Sequence, residues 1–255
     1  MTAQEKPVLH GKPRSMLALL PGMACDGSVW SPQVASLKDV CDCQIPDYGS
    51  ARSFEGMASN ALLSLPGHFY LAGHSMGARV ALEIVRIAPD RVKGLCLISS
   101  EARPRDSGEA GAQETRGREA LLEIARAQGM QAMGEALLPR LLGTKDDSQK
   151  EIRTKILEMI ARQNVDRFSC QIAAGDSRSD SRETARHIQC RTLVISGEED
   201  ALKPISGAKE LASLIPDCDV AWIPGCGHMP MLEKPELVSS LMRAWLVIEE
   251  SRLGK

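Results

Sequence analysis

Short apolar runs punctuate this chain, and most stop at a glycine, a proline or a small polar residue. Met16-Leu17-Ala18-Leu19-Leu20 stops at Pro21-Gly22, and Thr192-Leu193-Val194-Ile195-Ser196 stops at Gly197. Runs this brief and this continuous predict strands buried on both faces. They fall at residues 16–20, 42–48, 68–73, 94–99, 192–196 and 220–223. Between them the apolar positions change to helical spacing. Helices are predicted over 29–37, 53–65 (with Ser53 as its cap), 78–88, 205–214 and 235–250. Strand and helix alternate, which predicts a parallel sheet with helices on both faces.

The alternation lapses once. Residues 101–117 are polar and glycine-rich with no apolar period. From Arg118 to about Ile172 the pattern is helical and amphipathic, with breaks near Gly129, Pro139 and Gly143, and 175–182 is a polar loop. The division predicted is a core of 1–100 and 191–255 with a helical cap inserted at 101–190. Ligands in open α/β sheets bind at the carboxyl ends of the strands, where such an insertion would act as a lid. Residues 1–14 are polar and form a short lead-in. No internal repeat or low-complexity segment is present.

Composition narrows the functional classes. With 255 residues the chain has room for a sizeable core, and a formal net charge of −2 offers nothing to nucleic acid or an acidic membrane. Aromatic residues are too scarce for a base-stacking surface. No apolar run reaches membrane-spanning length and no secretion signal opens the chain. The eight cysteines are scattered without the paired spacing of a zinc site. Reduced thiols, a cytoplasmic location and no metal are the expectation.

Chemistry concentrates at the strand ends. The run 68–73 leads into Gly73-His74-Ser75-Met76-Gly77, with a helix directly after it. A serine in so sharp a strand-to-helix turn is a candidate nucleophile, with the helix amino terminus favouring negative charge beside it. Serine needs a base, and the base needs a carboxylate to orient it. Among His10, His68, His74, His187 and His228, only His228 follows a core strand in a glycine-bearing loop. His74, adjoining Ser75, should point away from where the base must stand. After the strand 192–196 come Glu198, Glu199 and Asp200. Asp200 is preferred, since three residues beyond Gly197 the loop is able to turn inward. The oxyanion of the reaction would be held by the backbone N–H of Met76 and that of Met23, in a loop that Gly22 lets bend. Met23, Met76, Met229 and Met231 supply flexible apolar surface near the acyl group, with core packing claiming at least one of them. Cys25 and Cys226 lie near in sequence and receive no role.

Leu19-Leu20-Pro21-Gly22, Gly73-His74-Ser75-Met76-Gly77, Gly197-Glu198-Glu199-Asp200 and Gly225-Cys226-Gly227-His228, followed by Leu232-Glu233-Lys234-Pro235, resemble the α/β-hydrolase superfamily in order and spacing over nearly the whole chain. The resemblance is nearest to small esterase and lactonase-like members with a compact cap. It implies the α/β-hydrolase fold, a helical cap and a Ser75–His228–Asp200 mechanism without a cofactor. Two departures stand out. Pro21 occupies the place where the family usually has histidine; the backbone N–H donor of the oxyanion loop survives, and whether the change alters the loop is left open by the sequence. The lead-in is also too short for the family's opening β-hairpin, so a sheet of about six strands is expected.

The function expected is hydrolysis of a small-molecule carboxylic ester or lactone through an acyl-enzyme. The same triad would serve a C–C bond hydrolase of β-diketone-like substrates, or an acyltransferase that excludes water. A non-catalytic binding protein on this fold is the alternative from another class. Substrate identity and oligomeric state are not encoded in any motif here.

Overall fold

A computed structural model describes residues 14–143 and 149–253. The lead-in read at 1–14 lies almost wholly outside the described residues, and so does His10. Six parallel strands form one sheet in the order β2-β1-β3-β4-β5-β6. They are β1 (Ser15–Leu20), β2 (Cys41–Gln44), β3 (Phe69–His74), β4 (Val92–Ile98), β5 (Thr192–Gly197) and β6 (Cys218–Ile223). β2 is shorter than the 42–48 predicted, because Pro46 has no N–H to continue a ladder.

Alternation along the strands builds two cores. Leu17, Leu19, Tyr70, Ala72 and Ile195 face one side, while Ala18, Leu20, Leu71 and Val194 face the other. Helix α1 (Ser31–Leu37) belongs to the first side; α2 (Phe54–Ser64) and α3 (Met76–Ile87) cover the second. Burying one leucine of this kind fully contributes about 1.5–3 kcal/mol, so these faces hold the sheet in register.

Between β4 and β5 run α4 (Gly108–Gln128), α5 (Met130–Leu137), α6 (Lys150–Ala161), α7 (Val165–Asp176) and α8 (Arg182–Arg186). α4 packs on α5 and α7, and α5 on α6. Leu122, Met133, Ile156, Met159 and Phe168 from this block continue the first core. Gly129, at φ 88°, separates α4 from α5, as its position in sequence suggests. Two boundaries differ from the pattern. α4 begins at Gly108 inside the stretch read as irregular; only Gly111, Leu122 and Ala125 of it are buried. Its polar surface is tied by Arg118 to Glu114 (2.6 Å) and by Arg178 to Glu114 (2.8 Å). Asn164 caps α7 by accepting from the N–H groups of Asp166 and Arg167 and so divides α6 from α7.

The chain closes with α9 (Ile205–Leu214), α10 (Pro230–Glu233) and α11 (Pro235–Leu253). α9 lies with α2 and α3, and α11 lies beside α1. Among the described residues no helix is long and apolar enough to cross a membrane. The eight cysteines form no disulfide.

Candidate active site

Ser75 stands between β3 and α3 with φ 54° and ψ −112°. A non-glycine residue seldom adopts φ in this range, and its surroundings hold it there. Its N–H donates to the carbonyl of Ile98 at the end of β4 (2.8 Å). The glycines on either side are needed for close approach. A Cβ on Gly77 would lie 2.0 Å from the Leu20 carbonyl oxygen, and one on Gly73 would lie 2.5 Å from that of Gly77. Ser75 itself is half-buried.

His228 follows β6 and Asp200 follows β5. The Ser75 hydroxyl and His228 Nε2 are 3.0 Å apart, and His228 Nδ1 and Asp200 Oδ2 are 2.7 Å apart. The tautomer that satisfies both contacts has Nδ1–H donating to the carboxylate and Nε2 accepting from the hydroxyl. Asp200 Oδ1 accepts from the N–H groups of Leu202 (2.9 Å) and Lys203 (2.8 Å). Burial pushes the Asp200 carboxyl upward, but the His228 ring and these two amides outweigh it, and the group is held below its ordinary value. Glu198 and Glu199 are exposed. His68 and His187 are exposed too, away from Ser75.

His74 departs from expectation. Its ring does not turn away. The centroid lies 4.9 Å from that of His228, and Nε2–H donates to the His228 carbonyl at 2.8 Å. Burial, and then the neighbouring His228, push the His74 imidazole down to about 3, so it stays neutral. The reason for glycine at position 22 also changes. The left-handed residue of that loop is Ala24 (φ 56°), while a Cβ on Gly22 would lie 2.8 Å from His74 Nδ1.

Met23 and Met76 line the same cavity as Ser75. Among the described residues, neither of their N–H groups donates to an acceptor. The Met76 amide is the first of α3 and one of the donors that every helix leaves unpaired. The cavity measures about 670 Å³. Met23, Met76 and Met229 give it an apolar lining near Ser75, and Leu121, Met159 and Phe168 extend that lining from the inserted helices. Met231 is not part of it; this side chain is fully buried in the core. Burial, with Asp26 nearby, pushes the Cys25 thiol up to about 12, and burial likewise raises Cys226, so neither is a thiolate at neutral pH.

One further residue acts on the His228 loop. The buried Glu233 carboxylate accepts from the N–H groups of Gly227 (3.0 Å) and Met229 (3.1 Å), on either side of His228, and from Gly143 N–H (2.9 Å). The His228 N–H donates to the Leu141 carbonyl (2.9 Å). The loop carrying the imidazole is thus held on one side by α10 and on the other by the inserted block.

The sequence profile described as "Alpha/beta hydrolase family" matches residues 17–241. Among curated proteins, the chain is 29% identical to the dihydrolipoyllysine-residue acetyltransferase component of the acetoin cleaving system of Pseudomonas putida, over 93% of this chain and 65% of that protein. It thus spans a little under two thirds of that relative's length. It is 25% identical to the pimeloyl-[acyl-carrier protein] methyl ester esterase of Nitrosomonas europaea, over 86% of this chain and 91% of that protein. Among solved structures, a thermophilic esterase from Thermogutta terrifontis superposes with a TM-score of 0.79 at 29% identity, covering 93% of this chain and 91% of that one.

Proposed function

The chain belongs to the alpha/beta hydrolase family, and from that premise we propose that it is a serine hydrolase of small-molecule carboxylic esters, lactones included. The observation that carries this is the unbroken hydrogen-bonded series from the Ser75 hydroxyl through His228 to Asp200, at 3.0 and 2.7 Å. The esterase names of two relatives point the same way. In this reading the described residues of 1–100 and 191–255 form the catalytic body, and those of 101–190 roof its cavity as a cap.

Ser75 Oγ attacks the ester carbonyl carbon while His228 Nε2 takes the hydroxyl proton. Asp200 stabilises the imidazolium through Nδ1–H. The carbonyl oxygen becomes an oxyanion that accepts from the Met23 and Met76 amides. Collapse breaks the bond to the alkoxy oxygen, which leaves with the proton from His228; from a lactone that alcohol stays tethered to the acyl group. Water then attacks the acyl-serine, gives its proton to His228, and the acid departs as Ser75 is regenerated.

The test is turnover of p-nitrophenyl esters of increasing chain length alongside simple lactones. Wild type is expected to hydrolyse one of these sets, and Ser75→Ala none. Equal turnover by both proteins contradicts the reading.

A further inference from the structure

The loop after β1, which carries Pro21 to Cys25, is held in a costly shape. Ala24 sits at φ 56°, a conformation that costs an ordinary residue about 1 kcal/mol or more. Cys25 N–H donates to the Gly22 carbonyl (3.2 Å), closing a turn with Met23 and Ala24 at its centre. A positive φ at the third residue of such a turn sets the direction of the Met23–Ala24 peptide. The N–H of that peptide donates to Gln171 Oε1 at 2.9 Å. Gln171 is 5% exposed and lies 147 residues away, in α7 of the inserted block. On the opposite flank the Tyr48 hydroxyl donates to the Pro21 carbonyl (3.0 Å).

We propose that Gln171 is a positioning residue: by holding the Ala24 N–H from the cap, it fixes the oxyanion loop so that the preceding Met23 N–H faces the reacting carbonyl. The inference rests on the serine-hydrolase reading and adds to it that the cap completes the oxyanion site. Were the Ala24 N–H released, the turn would be free to flip its central peptide. The Gly22–Met23 peptide, tied to the same turn through the Gly22 carbonyl, would then lose its aim. Ground-state binding would change little, because the donor acts on charge that develops only in the transition state.

Gln171→Met keeps the volume and lacks the carbonyl acceptor. Gln171→Asn draws the acceptor back by one methylene. Gln171→Glu restores an oxygen in the same place. Each is compared with wild type in ester kinetics, in the rate of inactivation by a fluorophosphonate, and in thermal unfolding. Removing a whole oxyanion donor typically costs about 10²–10³ in rate. A donor that has lost its aim is expected to cost on the order of tenfold to a hundredfold in kcat. The Met and Asn variants should show this loss with KM nearly unchanged and inactivation slowed in parallel, and Glu should recover most of it. Folded Met and Asn variants with wild-type kcat overturn the proposal, and so does a loss confined to KM or one that Glu does not recover. If wild type itself neither turns over esters nor reacts with the probe, the serine-hydrolase reading falls first and the proposal with it.

Discussion

Asp200 shares its loop with two other acids, and what separates it from them is burial and partners. Glu198 and Glu199 face solvent, whereas Asp200 is buried against His228 Nδ1 and takes two backbone amides on its second oxygen. Asp200→Asn keeps the shape but turns the imidazole to the wrong tautomer; in chymotrypsin-type enzymes that change costs about 10⁴ in kcat. A loss of that order is expected here by steady-state kinetics, with Glu198→Gln and Glu199→Gln near wild type. The reverse pattern would move the acid elsewhere. Ser75 and His228 were legible because each sits in a glycine-bearing turn right after a strand. His74 was not, because the positive φ at Ser75 breaks the alternation from which its direction was inferred. Glu233 was visible in the sequence only as part of a resemblance, and its contacts with Gly227, Met229 and Gly143 arise from tertiary packing that no local pattern announces.

Those contacts make the element between β6 and α11 a clamp. A buried carboxylate that accepts three backbone N–H groups satisfies donors that would otherwise each cost about 1–3 kcal/mol to leave unpaired. Glu233→Leu removes every acceptor at once. It is expected to lower stability by roughly 2–5 kcal/mol in denaturant unfolding and to depress kcat as the His228 loop loosens. Unchanged stability would show that the loop is held by its other bonds, to the Leu141 carbonyl and the His74 ring among them. The ion pairs that join the inserted helices to the core loops, Arg162 with the half-buried Asp26 and Arg167 with the exposed Asp47, lie at the surface and should matter far less, under about 1 kcal/mol each. At this scale the strands and most helices followed from apolar pattern. α4 did not, because a helix with so few buried residues and so many ion pairs has no apolar period to read.

For the whole molecule, the sheet brings loops from four strand ends, after β1, β3, β5 and β6, to one edge under the inserted helices. The parallel sheet with helices on both faces was readable from alternation and the α/β-hydrolase fold from the resemblance, while the bracing between the two parts was not. Gln171 and Leu141 reach the core loops from residues with no motif of their own. The buried His74 gives the assembled fold a pH signature. It stays neutral when folded down to about 3, but once unfolded it takes a proton near 6.5. Below pH about 6.5 the unfolded state therefore binds the extra proton, and stability falls as pH falls toward 3, by at most about 1.4 kcal/mol per pH unit from this group. Urea unfolding between pH 7 and 4 should show that slope reduced in His74→Gln; an identical slope would mean that His74 is not the group. The central claim, that Ser75 is the nucleophile, is tested most directly by intact-protein and peptide mass spectrometry after reaction with a fluorophosphonate. One adduct is expected, on the peptide carrying Ser75 and absent in Ser75→Ala; a folded wild-type protein that stays unlabelled, or is labelled elsewhere, would contradict it.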